Sequence, residues 1–549
     1  MLPSLGVSRM STRSLDVVAV GAGFAGLYAL HRLRGLGLSV RVYEAGSGVG
    51  GTWFWNRYPG CRCDVESLAY SYSFSPELEQ EWQWTERYPR QPEILAYLNH
   101  VADRFDLRRD IRLETRVTAA HFDERAGLWR IETDRGERCT ARYCVMATGC
   151  LSLPKRPDFP GVERFAGDWY LTAAWPKEGV DLTGKRVGVI GTGSTAIQVI
   201  SQVARQAAHL TVFQRTANFS VPARNGPLPL VEQQRIKAQY PSRRQLSRDS
   251  LFGVPVAMPA APRRTRDIPP GELSQTLEAL WTQGGALSLL AACPDVIVDP
   301  QANAVVAEFV REKIRATVKD PKVAQLLCPT THPLGTKRLC LDTEYYETYN
   351  RDNVTLVDLR ATPLLEITEH GVRTSAADYP LDTLIFAIGF DAMTGALQGV
   401  DIRGRGGVTL KQAWADGPHT YLGVASAGFP NLFLITGPQS PSVFSNMVVS
   451  IEQHVDWIAD CLRYLREQHI ASIEASPQAQ ASWVAHVAEV ANGTLMPQAD
   501  SWYVGANVPG KPRVFTPYLG GVGPYRQHCE QVAARGYEGF ELDRRQVAA

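Results

Sequence analysis

Residues 15–26 read LDVVAVGAGFAG. The apolar run from Leu15 to Val20 enters a glycine-rich turn and continues into the helical pattern LYALHRLRGLG. LSVRVYE then supplies a second strand, which completes a βαβ unit. The same grammar returns at KRVGVIGTGSTAIQVISQVARQAAHLTVFQR, residues 185–215. One G-x-G-x-x-G is weak evidence, since a random sequence of this glycine content holds about 0.3 copies. Two copies, each between a strand and a helix, predict an α/β chain with two Rossmann-like dinucleotide-binding domains.

The two turns ask for different ligands. In the first, Gly21 makes the tight turn, Gly23 lets a pyrophosphate approach the backbone, and Gly26 lets helix pack on strand, with phosphate charge on the helix N-terminus. Glu44 ends the next strand, where a carboxylate accepts from ribose hydroxyls and repels a 2′-phosphate, so this unit suits FAD or NAD. In the second, Gly191, Gly193 and Ala196 take the three glycine roles, with Thr192, Ser194 and Thr195 between and beside them. The count that leads from Gly21 to Glu44 leads from Gly191 to Gln214, followed by Arg215 and Thr216. Loss of the acid and gain of a guanidinium and a hydroxyl suit NADP.

The chain has 549 residues and divides into several domains: a 1–14 extension, 15–150 as the first dinucleotide domain, and 151–222 opening the second. Residues 223–330 turn Pro-punctuated and helix-periodic, as in LSQTLEALWTQGGALSLLAA and VVAEFVREKIRATV, and read as a helical insertion in the second domain. The second domain resumes over 331–383. TLIFAIGF echoes CVMATG (Cys144–Gly149), so the chain is expected to return to the first domain over 384–549.

A formal net charge of +1, with 44% hydrophobic and 21% charged residues, gives no reason to expect nucleic acid or a membrane surface as partner. The first fourteen residues lack the apolar core of a secretory signal and no later run is apolar over about 18 residues, which makes cytoplasmic the expectation. Cys61-x-Cys63 has neither zinc-site company nor redox spacing. The ten cysteines read as ordinary thiols, and no metal is expected.

Four longer segments carry a resemblance. They are GGTWFWNRYPGCRCDVESLAYSYSF (50–74), FAGDWYLTAAWP (165–176), GTKRLCLDTEYYETYNRDNV (335–354) and SWYVGANVPGKPRVF (501–515). Together they resemble the type I Baeyer–Villiger monooxygenases, closest to phenylacetone-monooxygenase-like members, over nearly the whole chain. The second matches the family's F-x-G-x-x-x-H-T-x-x-W-P at Phe165, Gly167, Thr172, Trp175 and Pro176, but Leu171 stands where the family has His. A His there would hydrogen-bond between domains, so Leu171 is expected to lower coupling.

The resemblance implies that NADPH reduces FAD, that O2 then forms a flavin peroxide, and that this attacks a small-molecule ketone to give an ester or lactone. A fixed cation is needed to keep that nucleophile anionic and to hold the developing alkoxide, and Arg cannot lose its proton. Arg338 matches the family's active-site arginine and Asp64 the carboxylate that positions it, so these two are the catalytic candidates. Phe24, Gly51, Thr52, Trp53, Asp64, Tyr70 and Val117 are expected at the cofactors, as is Met447. Lys337 joins Arg215 and Thr216 at the 2′-phosphate, and Trp502 is expected on the nicotinamide side. Ser442, Val443 and Phe444 match the substrate loop. Trp55 in TWFW reads as core. The chain is expected to act as a monomer or weak homodimer. The competing readings are an N- or S-oxygenating flavin monooxygenase, which would lack the Arg338-type motif, and a poorly coupled NADPH oxidase or NADPH sensor, favoured only by Leu171.

Overall fold

Strand β1 (Arg13–Val20) lies between β2 (Val40–Tyr43) and β3 (Arg138–Met146), parallel to both. Val17, Val18 and Ala19 are fully buried, because a central parallel strand is covered on both faces and needs a continuous apolar run. Helix α1 (Phe24–Gly35) connects β1 to β2. This computed structural model describes residues 13–256 and 262–544, so all but the last two residues of the 1–14 extension lie outside the described residues.

The first sheet has eight strands. The N-terminal half of β3 pairs with an antiparallel strand, Leu128–Thr133, whereas its C-terminal half pairs in parallel with Leu432–Leu434, Cys144 facing Leu432. The second sheet is all parallel and runs in the order Val354–Asp358, His209–Gln214, Arg186–Ile190, Thr383–Phe386, Asp168–Leu171. We number these in chain order β4 (Asp168–Leu171), β5 (Arg186–Ile190), β6 (His209–Gln214), β7 (Val354–Asp358) and β8 (Thr383–Phe386). Helix α2 (Ser194–Val203) follows β5 as α1 follows β1.

Helices run from Leu230–Lys237 to Pro321–Leu327 through the stretch read as an insertion. LSQTLEALWTQGGALSLLAA forms two helices, Pro270–Gln283 and Ala286–Leu290. Gly284 and Gly285 hold φ of 76° and 102°, where a helix cannot continue. A parallel ribbon of Ser220–Pro222 with Cys340–Asp342 ties the insertion's two ends together.

The structure moves one expected boundary. The TLIFAIGF segment does not begin the return to the first domain at 384, because β8 pairs with β5 and β4 inside the second sheet. The first sheet is rejoined only by Asp401–Arg403 and Leu432–Leu434. The echo with CVMATG has a local cause. β3 flanks the first fingerprint strand and β8 the second, and the residue after each meets a glycine turn. A Cβ on Gly21 would lie 2.6 Å from the Ala147 carbonyl oxygen, and one on Gly191 would lie 2.5 Å from that of Ala387.

Candidate active site

The ends of the two sheets bring Arg338 and Asp64 together. Arg338 precedes the ribbon strand Cys340–Asp342, and Asp64 follows Cys63, whose amide is held by the Pro89 carbonyl at 3.0 Å. The guanidinium donates through Nε to Asp64 Oδ2 at 3.1 Å, through Nη2 to the same oxygen, and through Nη1 to the Val443 carbonyl at 2.9 Å. The Asp64 charge outweighs burial and raises the pKa of Arg338 above its ordinary value, leaving a permanent cation. Cys340, Cys61 and Cys63 close by are kept as neutral thiols by burial, the first two with pKa values pushed up to about 12. All ten cysteines are buried, and none is in a disulfide among the described residues.

Val443 belongs to a short turn, Ser442–Phe444, in front of helix α3 (Met447–Glu467). Ser442 is fully buried with φ 30°. Asn446 fastens the turn: its Oδ1 accepts from Val448 N at the head of α3, its Nδ2 donates to the Ala69 carbonyl at 2.7 Å, and its own amide donates to the Phe252 carbonyl at 2.8 Å. The stretch read as the helical insertion thereby helps fix the turn, through the Phe252 carbonyl. Val443, Phe444, Met447, Trp502, Tyr503 and Phe515 share one apolar cluster. Val443 ties this cluster to Arg338 through its carbonyl.

At the first glycine turn, Glu44 accepts from Ala22 N at 2.8 Å and Gly46 N at 2.7 Å, so its carboxylate is held against the turn. Gly51 packs on Gly23, and Thr52 opens the short exposed start of the next helix. Trp53 Nε1 donates to the Tyr70 hydroxyl at 3.2 Å, with the Phe24 ring 5.2 Å from that of Tyr70. Val117 is buried at the start of a strand, two residues after Thr115, whose amide donates to the Glu44 carbonyl. Trp55 is 39% exposed and so is not the core residue expected. The four-residue helix Thr52–Trp55 buries only Trp53 and Phe54.

At the second turn, a Cβ on Gly193 would meet no protein atom within 4 Å, which is the open cradle that a pyrophosphate needs. Thr192 Oγ1 donates to the Thr216 carbonyl at 2.7 Å, Ser194 Oγ lies 3.1 Å from Cys340 Sγ, and Thr195 follows in the first turn of α2. Ala196 is fully buried. Gln214 is buried and turned away, its Nε2 donating to the Leu326 carbonyl at 2.7 Å, so it braces the insertion.

Arg215 and Thr216 are joined by a residue the sequence reading missed. Arg360 donates through Nε to the Arg215 carbonyl at 2.8 Å and through Nη2 to Thr216 Oγ1 at 3.4 Å. Its only sequence signal is its place just after the strand-like NVTLVDL, now β7, which pairs with β6. Lys337 donates to the Asp500 carbonyl. Burial lowers its pKa, with Asp500 opposing and Arg215 and Arg360 reinforcing the shift. Three cations therefore gather at the end of β6, where Coulombic repulsion calls for an anion between them.

Leu171 ends β4 opposite Phe386 and packs with Phe165, Ile190 and Phe386. It is part of the second sheet's own core, and the inter-domain role expected for this position has no support in that packing.

Residues 18–238 match the pyridine nucleotide-disulphide oxidoreductase family. The chain is 45% identical over 532 residues to a Baeyer–Villiger monooxygenase of Pseudooceanicola batsensis, covering 96% of each. A solved structure of oxidized steroid monooxygenase bound to NADP superposes with a TM-score of 0.93 at 54% identity, covering 97% of this chain and all of that one. The OTEMO complex with FAD and NADP superposes with a TM-score of 0.93 at 41% identity, over 97% and 100% of the two chains.

Proposed function

This chain belongs to the Baeyer–Villiger monooxygenases, enzymes that oxygenate ketones with FAD, NADPH and O2, and from that premise we propose that Arg338, held by Asp64, is its fixed catalytic cation and that its substrates are bulky apolar ketones. The observation that carries the reading is the position of Arg338. Its charge cannot be lost, Asp64 and the Val443 carbonyl hold its plane, and the apolar cluster of Val443, Phe444, Met447 and Trp502 stands beside it.

FAD, when bound at the Gly21 turn and Glu44, supplies the activated oxygen. The protein's own share is electrostatic and steric. Arg338 offers a permanent positive charge to the anionic oxygen that attacks the carbonyl and to the oxyanion that grows on the ketone. The aromatic walls exclude water, which strengthens that interaction and protects the oxygen donor from hydrolysis. Arg215, Thr216, Arg360 and Lys337 would hold the NADP 2′-phosphate, and the Gly193 cradle its pyrophosphate. A bulky substrate agrees with the 54% identity to a steroid monooxygenase. Both dinucleotide sites are built from one chain, which suits a monomer or weak homodimer working in the cytoplasm.

The test is NADPH consumption under oxygen across a ketone panel graded in size, with ester and hydrogen peroxide both quantified. Ester from the bulky members supports the reading. Ester only from small ketones overturns the substrate class, and peroxide alone overturns the role of the site in oxygen transfer.

A further inference from the structure

The two acceptors that hold Arg338 sit on different segments: Asp64 on the stretch that continues through Ala69 to Tyr72, and Val443 on the turn in front of α3. The Ala69 carbonyl joins them. It accepts from Asn446 Nδ2 at 2.7 Å and from Arg244 Nη1 at 3.3 Å, one donor for each lone pair. Together with the bonds from Arg338 to Asp64 and to the Val443 carbonyl, this closes a ring that runs from Arg338 through Asp64, Ala69, Asn446 and Val443 back to Arg338. Arg244 holds the junction of that ring from the helical insertion. It lies on the helix Tyr240–Asp249, and its Nε donates to Glu79 Oε1 at 2.7 Å in an ion pair whose side chains are 7% and 9% exposed. Its Nη2 donates to Ser71 Oγ at 2.7 Å, so one planar fork grips Ala69, Ser71 and Glu79 together.

We propose that Arg244 is a positioning residue for Arg338: by fixing the Ala69 carbonyl it sets the separation of Asp64 from the Val443 turn, and with it the place of the cation they share. This rests on the role given to Arg338 above. The physical reason is that Asp64 and Val443 are far apart in sequence, so chain connectivity does not fix their separation, whereas the bond from Asn446 to Ala69 does. That bond is only as firm as the segment that carries Ala69. A buried guanidinium bonded to Ala69, Ser71 and Glu79 at once removes the segment's freedom to shift, and a fixed electrostatic group depends on such placement. The same part of the insertion supplies a second tether, the Phe252 carbonyl, which accepts from the Asn446 amide at 2.8 Å. Arg244 acts through Ala69 and Asn446, so it positions the catalytic cation and is not itself a catalytic residue.

Two variants of the FAD-loaded enzyme test this. Arg244→Lys keeps a charge for Glu79 but loses the planar fork that spans Ala69 and Ser71. With the ketone that the parent converts best, kcat for ester should fall by roughly 5- to 50-fold, the scale of a displaced catalytic group, and more of the NADPH should end as hydrogen peroxide. KM for NADPH and anaerobic flavin reduction by NADPH should stay within about twofold. The pair Arg244→Met with Glu79→Leu replaces the buried ion pair by apolar side chains, an exchange that tends to preserve stability. It should hold the parent's thermal midpoint and still show the ester loss. Recovery of ester formation in this stable pair would show that Arg244 serves stability alone and overturn the proposal, as would undiminished ester formation by Arg244→Lys. A double-mutant cycle reads the route. In an Asn446→Ala background, Arg244→Lys should lower ester formation by less than about twofold further, whereas losses that multiply would place its effect outside the ring and overturn the proposal. Ester formation retained by Arg338→Ala would fail the reading of Arg338 and this inference with it. Ester lost in Arg338→Ala but kept in Arg244→Lys would fail this inference alone.

Discussion

Arg338 and Asp64 stand 274 residues apart in sequence, yet two nitrogens of the guanidinium converge on one carboxylate oxygen, Oδ2. Convergence on one atom leaves Nη1 free to donate to the Val443 carbonyl, so the pair anchors the cation while tying it to the turn that carries Val443.

Arg338→Ala is expected to retain FAD, because the Gly21 turn and Glu44 do not depend on it, while ester formation falls by about 10²–10³-fold. The FAD absorbance of the purified variant and ester quantified by mass spectrometry check both halves. Asp64→Asn, which keeps shape but removes the charge, should lose less activity than Arg338→Ala. Ester formation by Arg338→Ala within a few-fold of the parent would remove the role given to this cation.

The parent enzyme should prefer NADPH strongly over NADH, and Arg360→Ala should lower kcat/KM for NADPH by about tenfold or more while leaving NADH nearly unchanged. Arg215→Ala should behave alike. A parallel loss with both cofactors would place Arg360 in the general fold of the turn and not at the 2′-phosphate.

The two glycines of the second turn should fail differently. Gly193→Ala puts a Cβ only into open space, so the thermal midpoint without NADP should hold while NADPH binding, read by titration, is weakened. Gly191→Ala puts a Cβ 2.5 Å from the Ala387 oxygen at φ 121°, and should lower the midpoint itself.

Asp342 is buried in the ribbon that tethers the insertion, where it accepts from Ser220 Oγ and Tyr345 N, and burial raises its pKa to about 7. The folded state therefore binds a proton that the unfolded state has already released above its ordinary pKa near 4. The stability this contributes is full below about pH 4 and is lost as pH rises through 7. Asp342→Asn should raise the thermal midpoint more at pH 8 than at pH 5. An equal shift at both values would refute the linkage.

Leu171→His should leave ester formed per NADPH unchanged and lower the thermal midpoint by a few degrees, since it sets a polar ring against the apolar cluster that holds Phe165, Ile190 and Phe386. A clear rise in coupling would restore the inter-domain role that the sequence marker suggested.

The sequence by itself determined the two βαβ units, their glycine turns, the acid at Glu44 and its absence at Gln214, because each is a local pattern whose spacing follows from one strand, one turn and one helix. It also exposed the insertion, whose periodicity is helical. Only the tertiary structure decided which sheet Thr383–Phe386 joins, since β8 and β3 share one local pattern and differ only in the strand they pair with. It likewise decided that Arg360 stands beside Arg215, that Gln214 faces Leu326, and that the Val443 carbonyl meets Arg338. Each of those contacts links segments distant in sequence, and strand order, not residue spacing, fixes which distant segments meet.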